Sequence, residues 1–280
     1  MTTTAGRCHL CRREEARLSF EHVPPRAAFN EQPTRVYGLK EWLERSDDRE
    51  VSGGRIEQRG AGRRSLCETC NNNTGSWYGN ELNVAAASGA RVLRELPLDE
   101  IDAMLDPMWA DVKFRQSETG PHPLRFIKQV VTMLLATSGI EVSETHPELG
   151  DFVLDKERTG LDARYQFYLA LYAGPNARST GIAQRLDFDR GGRVDTMVEV
   201  AFPPYAYVMT IDSPPDALPT VNVTDCVNVG YSQRADMELQ MLVGFGHTIF
   251  PADYRTNAMV ERDYAENKRF AEEHGITTID

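Results

Sequence analysis

The chain has 280 residues, of which 41% are hydrophobic and 26% are charged, with 21 Gly and 15 Pro. These proportions exclude fibrous and wholly disordered proteins, and a chain of this length can bury a core without help from cross-links. The formal net charge of −11 at pH 7 argues, taken alone, against a nucleic-acid partner, because phosphate binding depends largely on Lys and Arg.

Membrane proteins are a further class that the sequence argues against. No run of about 18 apolar residues occurs, and the N-terminus "MTTTAGRCHLCRREE" has no apolar segment after its charged residues. We therefore expect a soluble, cytoplasmic protein with no membrane partner.

The N-terminal elements begin with a CxxC pair. The segment "RLSFEHV" at 17–23 alternates apolar and polar residues and predicts a strand that ends at a double proline. Residues 38–48 predict a short helix, and residues 49–66 predict a hairpin that turns at 52–54. After a second CxxC pair, apolar residues at helical spacing predict a helix that begins within or just after that pair.

The remainder of the chain predicts a different unit. After a short helix and a loop, residues 123–141 form the strongest apolar helix pattern in the chain, followed by a weaker one at 146–157. Beyond 163, three segments alternate around turn signals as in an antiparallel meander, whereas "MELQMLVGFGHTIF" fits either a helix or a strand. A charged helix is predicted at the C-terminal end, over 256–275.

Four of the five Cys residues form the two CxxC pairs, which are Cys8 with Cys11 and Cys67 with Cys70. A gap of two residues lets both thiolates of a pair point at one tetrahedral ion, so in a reducing compartment the pattern predicts a structural zinc site. Paired surface thiols or disulfides are the alternative. Cys226 stands alone and predicts a small buried residue, not a nucleophile.

The Arg residues reopen the question of a nucleic-acid partner. Residues 1–75 contain 13 Lys and Arg against 11 Asp and Glu, so the acidic excess lies entirely in the rest of the chain. Twelve of these 13 cations are Arg, which suits bidentate phosphate contacts, although a solvated Arg-rich surface is an equally good interpretation. Arg63 and Arg64, just before the second CxxC pair, are the best candidates for phosphate contact.

Glu21, His22 and Asn71 are the residues that a purely structural zinc site leaves unexplained. Glu21 and His22 are adjacent, so in an extended segment their side chains diverge, as suits a metal ligand and a base that approach one phosphate from two sides. Asn71 directly follows Cys70. Its position in the first turn of the next helix suits a neutral oxygen ligand beside a helix N-terminus that attracts phosphate.

The order CxxC, "EHVPP", CxxC and Asn resembles the HNH endonucleases of the ββα-metal type, in their zinc-stapled subgroup. The resemblance covers residues 7 to about 90. It implies that Glu21 and Asn71 hold a catalytic divalent ion such as Mg²⁺ or Mn²⁺, that His22 is the general base, and that the four Cys hold a separate structural Zn²⁺. The chain departs from the family pattern in three places, because Asn71 stands at the position of the final His, Glu21 stands where Asp is commoner, and no middle Asn precedes Cys67.

These observations predict an α+β protein with two domains. Residues 1–96 would form a zinc-stapled ββα-metal, treble-clef-like domain, and residues 97–280 an α+β domain with an antiparallel sheet and helices, for recognition, regulation or self-association as a homo-oligomer. The predicted function is a metal-dependent endonuclease that hydrolyses phosphodiester bonds of nucleic acid, DNA in preference to RNA. The alternative is a non-catalytic zinc module that binds nucleic acid or protein on the same scaffold.

Overall fold

The computed structural model describes residues 5–43, 54–114, 120–187 and 192–275. Within these ranges the chain is mixed α+β, with seven α-helices and a mostly antiparallel sheet of seven strands. The N-terminal elements are β1 Gly6–Arg7, β2 Glu14–Glu15, β3 Ser19–His22, β4 Thr34–Val36, α1 Leu39–Leu43, β5 Arg55–Glu57, β6 Gly62–Leu66 and α2 Glu68–Glu95. The later elements are α3 Leu98–Asp102, β7 Trp109–Phe114, α4 Pro123–Thr137, α5 Ile140–Thr145, α6 Pro147–Leu154, β8 Tyr165–Tyr172, β9 Arg178–Asp187, β10 Arg193–Phe202, β11 Tyr205–Ile211, β12 Val221–Asn222, a 3₁₀ turn Thr224–Asn228, β13 Met237–Gly244 and α7 Asn257–Glu273.

The large sheet has the strand order β7-β13-β8-β11-β10-β9, and β12 pairs with β8. The predicted meander is therefore correct for β9, β10 and β11 but wrong for β8, which pairs with β11 and, in parallel, with the end of β13. The physical reason lies in the side chains. All eight residues of β8, "YQFYLALY", are buried, which suits a strand inside the sheet with both faces covered. Strand β9 exposes Ile182 and Leu186 and lies at the edge.

Helix α4 is the centre of the core. Every residue of Pro123–Thr137 except Arg125 is buried, so its apolar pattern reflects burial on all sides and not a single amphipathic face. The helix packs against α2, α6 and strands β9 to β11. The predicted helix at this position is confirmed.

Side chains of the N-terminal segment form ion pairs and hydrogen bonds with later parts of the chain. The Arg7 guanidinium contacts Glu144, Arg12 donates to Asp151 at 2.7 Å, and His9 Nδ1 donates to the Leu135 carbonyl at 2.9 Å. One hydrophobic cluster runs from Cys8 to Phe245 and so includes both sides of the predicted boundary at residues 96 and 97. The division into two domains stays a prediction.

Other expected elements can be compared with the structure. Strand β3, helix α2 and helix α7 confirm the predicted strand at 17–23, the helix that begins within the second CxxC pair, and the charged C-terminal helix. The ambiguous segment near 240 is a strand, β13. Strand β7 was predicted as a loop, and it forms because it pairs along its whole length with β13. The turn predicted at 52–54 lies largely outside the described residues, and β5 pairs with β4.

Among the described residues, no helix combines the length and the apolar character needed to cross a membrane.

Candidate functional site

The two CxxC pairs meet at one point of the structure, and we call Cys8, Cys11, Cys67 and Cys70 the four-cysteine cluster. The first pair lies in the turn between β1 and β2, and the second pair lies at the start of α2, where Cys67 is the N-cap residue. The four sulfur atoms all lie within 4.8 Å of one another, and all except that of Cys11 belong to buried residues. Residues almost sixty positions apart in sequence are thus brought together.

The geometry of the four-cysteine cluster fits a tetrahedral ion. A Zn–S bond of about 2.3 Å in a tetrahedral site places sulfur atoms about 3.8 Å apart, and the Cys11 and Cys67 sulfur atoms are 3.9 Å apart. The backbone N–H of Cys67 donates to the Cys8 sulfur, and that of Cys70 donates to the Cys67 sulfur. A hydrogen bond from the Cys70 thiol lowers the pKa of Cys8 to about 4. The cluster can therefore hold a structural metal ion such as zinc.

Strand β3, which carries Glu21 and His22, lies beside this cluster with its partner strand β6. The two strands pair antiparallel, with Glu21 opposite Arg63 and His22 opposite Gly62. Asn71, in the first turn of α2, joins the helix to β3, because its Nδ2 donates to Ser19 Oγ and to the Phe20 carbonyl, both at 3.1 Å. A carbonyl only accepts, so these bonds fix the orientation of the amide. The Asn71 Oδ1 atom keeps no partner among the described residues.

Glu21 is a buried acid without a hydrogen-bond or ion-pair partner among the described residues. Its side chain is only 6% exposed, and no described residue gives its carboxyl group a hydrogen bond or an ion pair, including the facing Arg63. Burial raises its pKa to about 8, because desolvation disfavours the charged form. Asn71 bonds to the carbonyl of Phe20, the residue before Glu21, so its amide lies beside the backbone of β3. A carboxylate oxygen and an amide oxygen are both ligand types that hard divalent cations accept.

His22 is half-buried, and its tautomer follows from its contacts. The Nε2 atom lies 2.9 Å from the carbonyl oxygen of Arg59, which can only accept, so Nε2 carries the proton and Nδ1 carries the lone pair. The ring also packs edge-to-face on Phe20, with the ring centroids 5.0 Å apart. Desolvation, and to a smaller extent Arg26 and Arg59, lower its pKa and favour the neutral ring. Neutral His22 therefore has its free lone pair at Nδ1.

The two predicted phosphate-binding residues differ in their surroundings. Arg64 Nη1 donates to the Leu18 carbonyl at 3.2 Å, so part of its guanidinium is used within the protein. Arg63 is exposed, forms no hydrogen bond or ion pair with any described residue, and lies directly across the strand pair from Glu21. Of the two, Arg63 is the better placed to contact a bound phosphate.

Sequence reasoning missed the residues that surround His22 from other parts of the chain. The Arg59 carbonyl, with Gly60, Ala61 and Asn30 beside it, forms contacts that no motif indicates, since a backbone carbonyl leaves no sequence signal. In the sequence, the Gly-rich run "RGAG" at 59–62 is the feature that indicates an unusual backbone conformation at this position. The sequence also did not pair the buried His122 with Glu81, whose carboxylate lies 2.7 Å from His122 Nδ1.

Comparison with known proteins adds no assignment, since no protein-family model, no curated protein and no solved structure matches this chain.

Proposed function

We propose that this chain is a metal-dependent endonuclease that hydrolyses phosphodiester bonds of DNA at an HNH-like site with a ββα-metal arrangement. The observation that carries the proposal is the state of Glu21, which is buried without a partner beside a histidine whose base-competent tautomer is fixed. The other buried acids of the described residues, Glu81, Asp195 and Glu199, each have a charged or hydrogen-bonding partner, and Glu21 is the exception.

The two predicted metals have different roles in this proposal. The four-cysteine cluster would hold Zn²⁺ as a structural ion, with no open position for substrate. Glu21 and Asn71 Oδ1 would hold the catalytic ion. When bound there, a divalent cation such as Mg²⁺ or Mn²⁺ supplies positive charge that offsets the charge of the phosphate group.

The remaining chemistry belongs to the protein's own side chains. His22 accepts at Nδ1 the proton of the attacking water, whose oxygen bonds to phosphorus as the P–O bond to the leaving sugar oxygen breaks, and the leaving oxygen takes up a proton from solvent. The Arg59 carbonyl accepts from Nε2–H, which orients the ring and stabilises the positive charge that develops on it. Arg63 would contact a non-bridging phosphate oxygen, and the N-terminus of α2 adds a favourable partial charge close to Asn71.

A plasmid cleavage assay with Mg²⁺ or Mn²⁺ tests the proposal. The wild type should nick supercoiled plasmid, and His22→Ala should lower the rate about 10²- to 10⁴-fold, the usual contribution of a general base. His274→Ala is the matched control, because His274 is exposed and bonds only within its own helix, to the Phe270 carbonyl. Zinc content should be the same in all three proteins.

Two results would count against the proposal. Equal cleavage by the wild type and His22→Ala would remove His22 from the chemistry. A wild type that binds DNA or a protein partner but cleaves nothing with any divalent ion would favour a non-catalytic zinc module on the same scaffold.

A further inference from the structure

Asn30 is buried in the segment that follows "EHVPP", and all of its hydrogen-bonding groups are used. Its side chain is 1% exposed. Nδ2 donates to the Pro24 carbonyl and to the Ala61 carbonyl, each at 2.7 Å, and Oδ1 accepts from the Ala61 N–H at 2.6 Å. Two carbonyl acceptors and one N–H donor fix the amide orientation, so Asn30 connects the chain just after His22 to the backbone just before β6.

The residues that Asn30 holds belong to the 59–61 loop, which contains Arg59, Gly60 and Ala61. Gly60 has a φ of +99°, and a Cβ built on it would lie 2.3 Å from the Asn30 carbonyl oxygen and 2.5 Å from its Oδ1. The loop thus fits against Asn30 only with glycine at this position. Ala61 O also accepts from the Val23 N–H at 3.0 Å, which ties the same loop to the residue after His22.

The loop presents one group to the candidate site, the Arg59 carbonyl, which lies 2.9 Å from His22 Nε2. Arg59 itself is exposed, and its neighbour is a glycine in a conformation that L-residues rarely adopt. Nothing in the side chain of Arg59 fixes the direction of its carbonyl. Asn30 makes two side-chain bonds to Ala61, two residues along, which limit the loop's freedom together with the Val23 N–H bond to the same residue.

We propose that Asn30 is a positioning residue for His22, acting through the 59–61 loop to keep the Arg59 carbonyl on His22 Nε2. The inference rests on the proposed function for its effect on cleavage. Its effect on the histidine ring does not depend on that function.

Asn30→Asp tests the proposal with little change in volume. The substitution removes both N–H donors and places carboxylate oxygen against the Pro24 and Ala61 carbonyls. In protein labelled with ¹⁵N at histidine, the wild type should show a hydrogen-bonded His22 Nε2–H signal, and in Asn30→Asp this signal should be lost to exchange with water. Cleavage should fall about 10- to 100-fold, as for other residues that orient a functional group from behind, with zinc retained.

Asn222→Asp is the matched control. Asn222, in β12, also donates twice, to Gln166 Oε1 and the Pro215 carbonyl, and accepts once, from the Thr224 N–H, all at 2.9 Å. It should leave both the His22 signal and cleavage unchanged. Gly60→Ala disturbs the same contact from the loop side, so it provides the measurement if Asn30→Asp does not fold.

The outcomes separate the two proposals. A folded, zinc-loaded Asn30→Asp protein with an unchanged His22 Nε2–H signal and an unchanged cleavage rate would overturn the role of Asn30 and leave the endonuclease proposal standing. A wild type without cleavage would overturn the endonuclease, but loss of the His22 signal in Asn30→Asp and Gly60→Ala alone would still support the positioning role. Equal loss of the His22 signal and of cleavage in Asn222→Asp would show that only general stability is affected. That result would also overturn the role of Asn30.

Discussion

Buried acids are treated differently in the large sheet and in the β3–β6 strand pair. In β10, Glu199 and Asp195 are completely buried, and each faces a guanidinium, Arg178 at 2.8 and 3.1 Å and Arg193 at 2.9 Å twice. Glu199 also accepts the Ala252 N–H at 3.0 Å. In β3, Glu21 is almost as buried and has none of these partners among the described residues.

This difference separates a structural acid from a candidate ligand. A buried carboxylate is tolerable when an opposite charge and hydrogen bonds replace water, and the sheet supplies both. Glu21 has neither, so burial acts on it without compensation and raises its pKa to about 8. A cation bound beside Glu21 would favour its ionised form.

The largest expected effect comes from the four-cysteine cluster, which brings the turn between β1 and β2 together with the start of α2. Cys67→Ser should abolish binding of about one zinc ion per chain and unfold the N-terminal segment, because structural zinc contributes on the order of 10 kcal/mol in small zinc domains. Metal analysis and circular dichroism measure this. Cys226→Ser, a cysteine outside the cluster, should keep both zinc and fold; loss of zinc there would contradict the assignment.

Glu199→Gln should be the next largest change and should destabilise the protein. The substitution keeps the shape but leaves the Arg178 guanidinium, largely buried, without its counter-charge. Breaking one side of a buried ion pair usually costs about 3–5 kcal/mol in the free energy of unfolding. Urea unfolding followed by circular dichroism measures the cost. An unchanged unfolding midpoint would show that the ion pair of Glu199 does not stabilise the fold, and would contradict the difference between Glu199 in β10 and Glu21 in β3.

Glu21→Gln should instead raise the free energy of unfolding. The folded-state pKa of Glu21 is raised to about 8 from 4.5, so its stabilising protonated form is fully present below about pH 4.5 and is lost as pH rises towards 8. In buffer without added divalent ions, Glu21→Gln should therefore be more stable than the wild type by about 3 kcal/mol at pH 7. The difference in the free energy of unfolding between the two proteins should be small at pH 5. Urea unfolding at pH 5, 7 and 9 checks it, and destabilisation by Glu21→Gln at pH 7 would contradict it.

The smallest expected effect is stabilisation by a divalent ion. Mn²⁺ at a hundred times its dissociation constant should raise the free energy of unfolding of the wild type by about 2.7 kcal/mol, because it binds only the folded site. Glu21→Gln and Asn71→Ala should lose most of this gain, and Glu199→Gln should keep it. Thermal shift with and without Mn²⁺ measures the difference. Equal shifts in all four proteins would place the ion elsewhere.

Much of the fold could be predicted locally. The buried helix α4, the charged helix α7 and the turn-bounded strands β9 to β11 follow from periodicity and turn residues, which act over a few positions. The partners of β8 could not be predicted in this way, because strand order depends on which apolar surfaces must be covered on both faces. Strand β7 was missed for a related reason: its backbone partner, β13, lies more than a hundred residues later in the chain.

By itself, the sequence determined which four cysteines could hold a metal ion, since the spacing of each pair lets both thiols point at one ion. It also identified Glu21, His22 and Asn71 as candidate site residues. Only the tertiary structure decided what surrounds them. Glu21 lacks a partner among the described residues, the Arg59 carbonyl fixes the proton of His22 on Nε2, and Asn30 bonds to Ala61. Each of these features depends on segments that are distant in the sequence. Such contacts arise when segments pack and compete for hydrogen bonds, and no local pattern of side chains records them.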